Sequence, residues 1–136
     1  MKIFYNPKCS KCRAALGLLK EKFVEYEIVE YLKTCLSEDL VSKFYDTLGS
    51  EILRVKDLDN PIEMTKENIV NAIVRNPKLL QRPILVDGEK IIIGREEEKV
   101  KDFIKEHNKN LLKVVDEEIK KISFTKEEAI KDDLYD

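Results

Sequence analysis

Two cysteines stand three positions apart in "NPKCSKCR", residues 6–13: Cys9 and Cys12, with Lys8, Lys11 and Arg13 around them. The reactive form of cysteine is the thiolate. Free N–H groups at a helix N-terminus and nearby cations acidify it, to pKa values of about 3.5 to 7.5. Cys9 sits just before a helical pattern that begins around Ser10, and three cations lie within four positions of it. Every local term favours its anion, and a buried structural role fits poorly in a turn that contains Pro7. Cys12 is less constrained. In a first helical turn its sulfur reaches Cys9 and would resolve a mixed disulfide. It also begins an apolar face, Cys12, Ala15, Leu16 and Leu19, and would simply pack there; the spacing leaves both roles open. A structural zinc site wants four ligands. The chain offers only Cys35 and the lone His107 besides this pair, far apart in sequence, so no metal is expected. Cys35, in "LKTCLSEDL", reads as a bystander. His107, in a polar setting at an expected helix end, reads as a surface residue, which also disfavours a Cys-His protease arrangement.

Arginines supply the second chemical signal. Arg82 precedes Pro83 at the mouth of an expected strand, Arg95 follows Gly94 at the end of an expected hairpin, and Arg54 lies in "EILRVKD" after the second expected helix. Guanidinium groups bind tetrahedral oxyanions through paired N–H donors, so several of them around a thiolate would suit an oxyanion substrate.

The elements that must position these residues follow from periodicity. Lys2 to Tyr5 reads as a strand stopped by Asn6-Pro7, and apolar spacing from Cys12 to Phe23 predicts a helix with Ser10 as a candidate N-cap. Val24 to Val29 alternates as a second strand. "LSEDLVSKFYDTLG" predicts a helix capped by Ser37 and stopped by Gly49, and a third runs from about Thr65 to Val74. "RPILV" and "KIIIG" flank Asp87-Gly88, a hairpin signature. A helix from Glu96 to about Glu106 follows. A separate amphipathic stretch comes next (Leu111, Leu112, Val115, Ile119, Ile122), before the polar end "KEEAIKDDLYD". The expected fold is α/β: a mixed four-stranded sheet with flanking helices, a helical insertion at about 36–76, and a helical C-terminal tail. The expected units are residues 1–107 and an extension, 108–136.

The chain has 136 residues, enough for one domain with a modest core. Charged residues make up 38% but sum to −2, giving no global electrostatic reason for a nucleic-acid or membrane partner. No apolar run approaches the roughly 18 to 20 residues of a membrane span. The chain therefore reads as soluble and cytoplasmic.

"YNPKCSKCR", "VEYLKT", "ILRVK", "NPKLLQRPILV" and "IIIGRE", in this order, resemble the glutaredoxin-linked arsenate reductases of the ArsC family, over about residues 2 to 105. Those enzymes share a thioredoxin-like fold with the redox-sensing transcription regulators of the Spx type. The resemblance implies that Cys9 attacks arsenate, that glutathione attacks the resulting adduct, and that glutaredoxin completes reduction to arsenite. It implies that Arg54, Arg82 and Arg95 cradle the oxyanion, that Arg13 ends the nucleophile motif, and that Pro83 is the cis-proline opposite the reactive cysteine. No bound cofactor is implied; glutathione would be a co-substrate. Cys12 stands where many such reductases have serine and Spx-type regulators have cysteine, whereas Arg95 matches the reductases. The alternatives are therefore a regulator that binds RNA polymerase through a Cys9-Cys12 switch, or a general thiol-disulfide oxidoreductase.

Overall fold

The computed structural model describes the backbone of residues 1–135 and the side chains of residues 1–118 other than residue 116. It divides into two compact units, Met1–Phe103 and a second from Ile104 onward. In the first unit, strands β1 (Lys2–Phe4), β2 (Glu27–Val29), β3 (Ile84–Asp87) and β4 (Lys90–Ile93) form one sheet in the order β2-β1-β3-β4. β1 and β2 are parallel, with Ile3 opposite Ile28. β3 runs antiparallel to β1, with Leu85 opposite Ile3, and β4 runs antiparallel to β3. A parallel pair needs a crossover, which helix α1 (Ser10–Glu21) supplies. The sheet is the expected mixed, open, four-stranded one.

Between β2 and β3 lie α2 (Glu38–Leu48) and α3 (Lys66–Arg75), where the helical insertion was expected. Their starts are chemical. Ser37 Oγ accepts from the Leu40 N–H at 3.1 Å and Thr65 Oγ1 from the Asn68 N–H at 3.2 Å, each satisfying a donor the helix itself leaves free. α2 stops at Gly49, as its sequence suggests. The main core joins Phe4, Ile84 and Ile91 of the sheet to Val41 and Phe44 of α2 and to Ile69, Val70 and Ile73 of α3. Phe4 and Phe44 meet edge to face with centroids 5.1 Å apart. Ile3 and Leu85, one residue along each strand, point to the other face, and the buried stripe Cys12, Ala15, Leu16 and Leu19 of α1 lies outside the main core. The hairpin turns on Gly88, which takes φ 62° as the first of two loop residues, a conformation that a side chain disfavours.

Four expectations are corrected. Cys9, not Ser10, is the N-cap residue of α1. α1 ends at Glu21, and Phe23, expected on its apolar face, is 94% exposed at φ 56°. The reason is a Schellman closure: the Phe23 N–H donates to Lys20 O at 3.1 Å and the Val24 N–H to Leu19 O at 3.0 Å. That geometry turns Phe23 outward and buries Val24 in its place. The second strand is correspondingly shorter, starting at Glu27. Finally, the last two helical stretches are one helix, α4 (Glu97–Tyr135), because no Gly or Pro interrupts residues 106–111. His107 is thus a mid-helix, half-buried residue. In the second unit Leu111, Leu112 and Val115 are exposed; the side chains of Ile119 and Ile122 fall outside the described residues, as do those of "KEEAIKDDLYD". No helix among the described residues is long and apolar enough to cross a membrane.

Candidate active site

The loop from Tyr5 to Cys9 leaves the C-terminal end of β1, the edge of an α/β sheet where ligands tend to bind. Asn6 shapes it twice: its Oδ1 accepts from the Lys8 N–H at 3.0 Å, and its carbonyl accepts from the Cys9 N–H, also at 3.0 Å. Cys9 then takes extended angles, φ −91° and ψ 121°, and its carbonyl accepts the first helical bond from the Arg13 N–H. Its sulfur closes no geometrically complete cap bond, but the N–H groups of Cys12 and Lys11 act on it across the open end of the helix. Burial opposes ionisation of this half-buried thiol. The Cys12 N–H, the Cys12 thiol, the Lys11 N–H and the Arg95 guanidinium together outweigh burial, and the pKa falls to about 7.

Cys12, three residues on, has the opposite environment. It is 0% exposed, and burial pushes its thiol up to about 12, only partly offset by the Asn6 backbone. It stays protonated and serves Cys9 as a hydrogen-bond donor. Cys35 is exposed; the three cysteines are free thiols. Among the described residues no group of three or more His, Cys, Asp or Glu side chains is placed to hold a metal ion.

The hairpin brings the cations. Arg95 Nη1 lies 3.9 Å from Cys9 Sγ and donates to the Arg82 carbonyl at 2.8 Å, so one guanidinium ties the nucleophile to the Arg82-Pro83 bond, which is cis. Gly94 makes this approach possible. Its N–H donates to Pro83 O at 2.8 Å, and a Cβ here would meet Leu85 and Val100 side-chain atoms at 3.2 Å. Arg82 turns its Nη1 to the Lys78 carbonyl at 3.0 Å.

Arg54 arrives by a different route. Leu53 and Leu80 form an isolated antiparallel bridge, flanked by Arg54 N–H to Leu79 O and Gln81 N–H to Ile52 O, both at 2.7 Å. This sets Arg54 beside Gln81, the residue before Arg82. Arg54 is only 7% exposed and already engaged: Nε to Asp57 Oδ2 at 2.8 Å and Nη1 to Gln81 Oε1 at 3.2 Å. The hydrogen bond from Arg54 holds the Asp57 carboxyl below its usual range. Arg54 and Arg95 line one open cleft of about 570 Å³ with Gln81 and Lys56. A second cleft of about 470 Å³ has apolar walls from Tyr5, Pro7 and Leu79 and basic groups Lys8, Lys78 and Arg82.

Of the residues expected at the site, Arg95 thus links Cys9 to the backbone of Arg82 and Pro83, Cys12 lies one helical turn from Cys9, and Arg54 bonds to Gln81, the neighbour of Arg82 in sequence. Arg13 is exposed on α1 and contributes its backbone N–H. Sequence reasoning missed Gln81 and Asp57, which become visible only as partners of Arg54.

Comparison with known proteins identifies the family. The ArsC family model matches residues 4–103. An arsenate reductase of Neisseria meningitidis is 42% identical over 106 residues, 70% of this chain and 90% of that protein. The global transcriptional regulator Spx of Streptococcus mutans is 29% identical over 112 residues, 75% of this chain and 81% of that protein. The solved structure of an arsenate reductase from Vibrio cholerae superimposes with a TM-score of 0.67 at 29% identity, covering 75% of this chain and 97% of that one. With the family's thioredoxin-like sheet present and the match spanning nearly the whole first unit, the chain belongs to the ArsC family.

Proposed function

We propose that this protein is a thiol-dependent oxidoreductase that reduces arsenate or a related oxyanion, with glutathione and glutaredoxin as reductants. The observation that carries this reading is Arg95 Nη1, 3.9 Å from Cys9 Sγ and bonded to the Arg82 carbonyl, at the tip of α1. A thiolate and a dianionic arsenate repel each other, and fixed guanidinium groups around the sulfur offset that repulsion without reorganising. Cys9 supplies the electron pair of a new S–As bond, and one arsenate oxygen takes up protons and leaves as water. A glutathione thiolate then bonds to a sulfur of the adduct and the S–As pair returns to arsenic. Arsenite leaves, As(V) has become As(III), and two thiols have become one disulfide, which glutaredoxin reduces with its own thiols.

Cys12 is poorly suited to be the second thiol, because it is enclosed and held protonated. An outside thiol has room: the 470 Å³ cleft, with apolar walls and lysines for carboxylates, suits a small peptide such as glutathione. Such chemistry belongs in a reducing compartment, hence the cytoplasm. No nucleic acid or membrane enters it. Arsenate-dependent turnover by the fully reduced protein with glutathione and glutaredoxin is the test. Turnover is expected, and its absence refutes the reading.

One observation favours a second reading. Cys9 and Cys12 stand one helical turn apart at the start of α1 and act on each other's ionisation, the arrangement that a disulfide switch of the kind a Spx-like regulator would present to RNA polymerase requires. Polymerase capture that changes with oxidation would support it, and no capture in either redox state would reject it.

A further inference from the structure

Among the described residues, two buried side-chain polar atoms have no hydrogen-bond partner: Tyr31 Oη and Arg82 Nε. Native interiors pair almost all such atoms, so each needs an explanation. Tyr31 follows β2 in the turn of residues 30–33 and is 0% exposed, its ring a member of the core with Phe4, Leu36 and Phe44. A phenylalanine would bury the same ring without stranding a hydroxyl.

Tyr31 stands two residues past the end of β2, where Phe4 lies opposite Val29 and the Tyr5 N–H donates to the Val29 carbonyl at 2.9 Å, so its turn and the loop to Cys9 leave the same edge of the sheet side by side. Arg82 is the charged group that acts on the Tyr31 hydroxyl most strongly, followed by Cys12, Cys9 and Arg54. Burial pushes its pKa up to about 12, so the phenol keeps its proton and can donate. Arg82 Nε–H can only donate, while Arg82 Nη1 is already used on the Lys78 carbonyl. The Tyr31 O–H and the Arg82 Nε–H both lack an acceptor, and the Arg82 and Arg54 guanidinium groups act on the phenol, so an anionic oxygen would satisfy both donors.

We infer that Tyr31 is a further oxyanion-binding residue, its hydroxyl donating together with Arg82 Nε–H to an oxygen of the tetrahedral anion that Cys9 attacks. The inference rests on the reading of Cys9 as a nucleophile toward an oxyanion. Tyr31 holds the anion from the core side of the site while Arg95 holds it from the hairpin side.

The test is Tyr31→Phe, which removes only the hydroxyl. Reduced wild type and variant are alkylated with iodoacetamide at pH 7 over a range of arsenate concentrations, and modification of Cys9 is followed by mass spectrometry. The arsenate concentration that half-protects Cys9 should rise about tenfold in the variant, the loss of one hydrogen bond to a charged group. Alkylation without arsenate should be unchanged and the thermal midpoint equal or higher. Equal protection of the two proteins overturns the inference and leaves the oxyanion reading standing, whether the variant is as stable as wild type or, having lost a buried water, less so. Altered alkylation in the absence of arsenate also overturns it, by showing a general disturbance of the site. No protection of the wild type removes the oxyanion reading itself, and this inference with it.

Discussion

The tip of α1 and the flank of the same helix carry one cysteine each, and the two environments set opposite chemistries. At the tip, Cys9 meets the free N–H groups of the first turn and the Arg95 guanidinium, and its pKa falls to about 7. One turn along, Cys12 has its sulfur inside, where burial raises the pKa to about 12. At neutral pH the first is therefore far more readily ionised than the second, which is a thiol. A Cys-x-x-Cys spacing therefore does not by itself make two interchangeable redox groups. The position of the helix end relative to the core decides which sulfur attacks and which donates a proton to a hydrogen bond.

Breaking the tip should have the largest consequence. Cys9→Ser leaves a hydroxyl that does not ionise in this range, and arsenate turnover should fall by at least ~10³-fold in a steady-state assay. Next comes Arg95→Ala, which removes a stabiliser of the thiolate and, in the proposed reaction, a donor to the oxyanion. kcat/KM should fall by about 10²-fold. The sign of the accompanying pH change follows from the lowered pKa: Arg95 favours the anion, so without it the midpoint of Cys9 alkylation moves up, and reactivity at pH 7 drops. Cys12→Ala sharpens the comparison from the other side. Turnover supported by glutathione should remain within about fivefold of wild type, since only one hydrogen bond to the thiolate is lost. The alkylation midpoint should again move up. Complete loss of turnover would instead make Cys12 the resolving thiol. The smallest effect is expected for Gly94→Ala: the new methyl crowds Leu85 and Val100, reducing stability by about 1 kcal/mol in a denaturant titration and loosening the approach of Arg95.

How much of this was legible in the sequence depends on the range of the interaction. Ser37, Thr65 and Gly49 act within one helical turn, and the hairpin around Gly88 is similarly local; all were readable from residue order. Cys9 was readable because its helix end and its neighbouring lysines are local too. Arg82 and Arg95 could be placed at element ends, yet the contact that gives them meaning, Arg95 to Cys9, spans 86 residues. The commitment of Arg54 to Asp57 and Gln81 depends likewise on a bridge between Leu53 and Leu80 that no periodicity announces. Phe23 misled because its spacing continues the helix, while the helix itself ends two residues earlier, at Glu21. The unpaired hydroxyl of Tyr31 is equally illegible in the sequence, because a tyrosine after a strand looks like ordinary core and only the absence of a partner for its oxygen distinguishes it.

The most direct test of the central claim is the pH dependence of Cys9 alkylation in the fully reduced protein, measured with and without arsenate. A midpoint near 7, with modification slowed by arsenate at every pH, is the expected result: an acidified nucleophile inside an oxyanion site. A midpoint at the ordinary thiol value near 8.5, with no effect of arsenate, would contradict it.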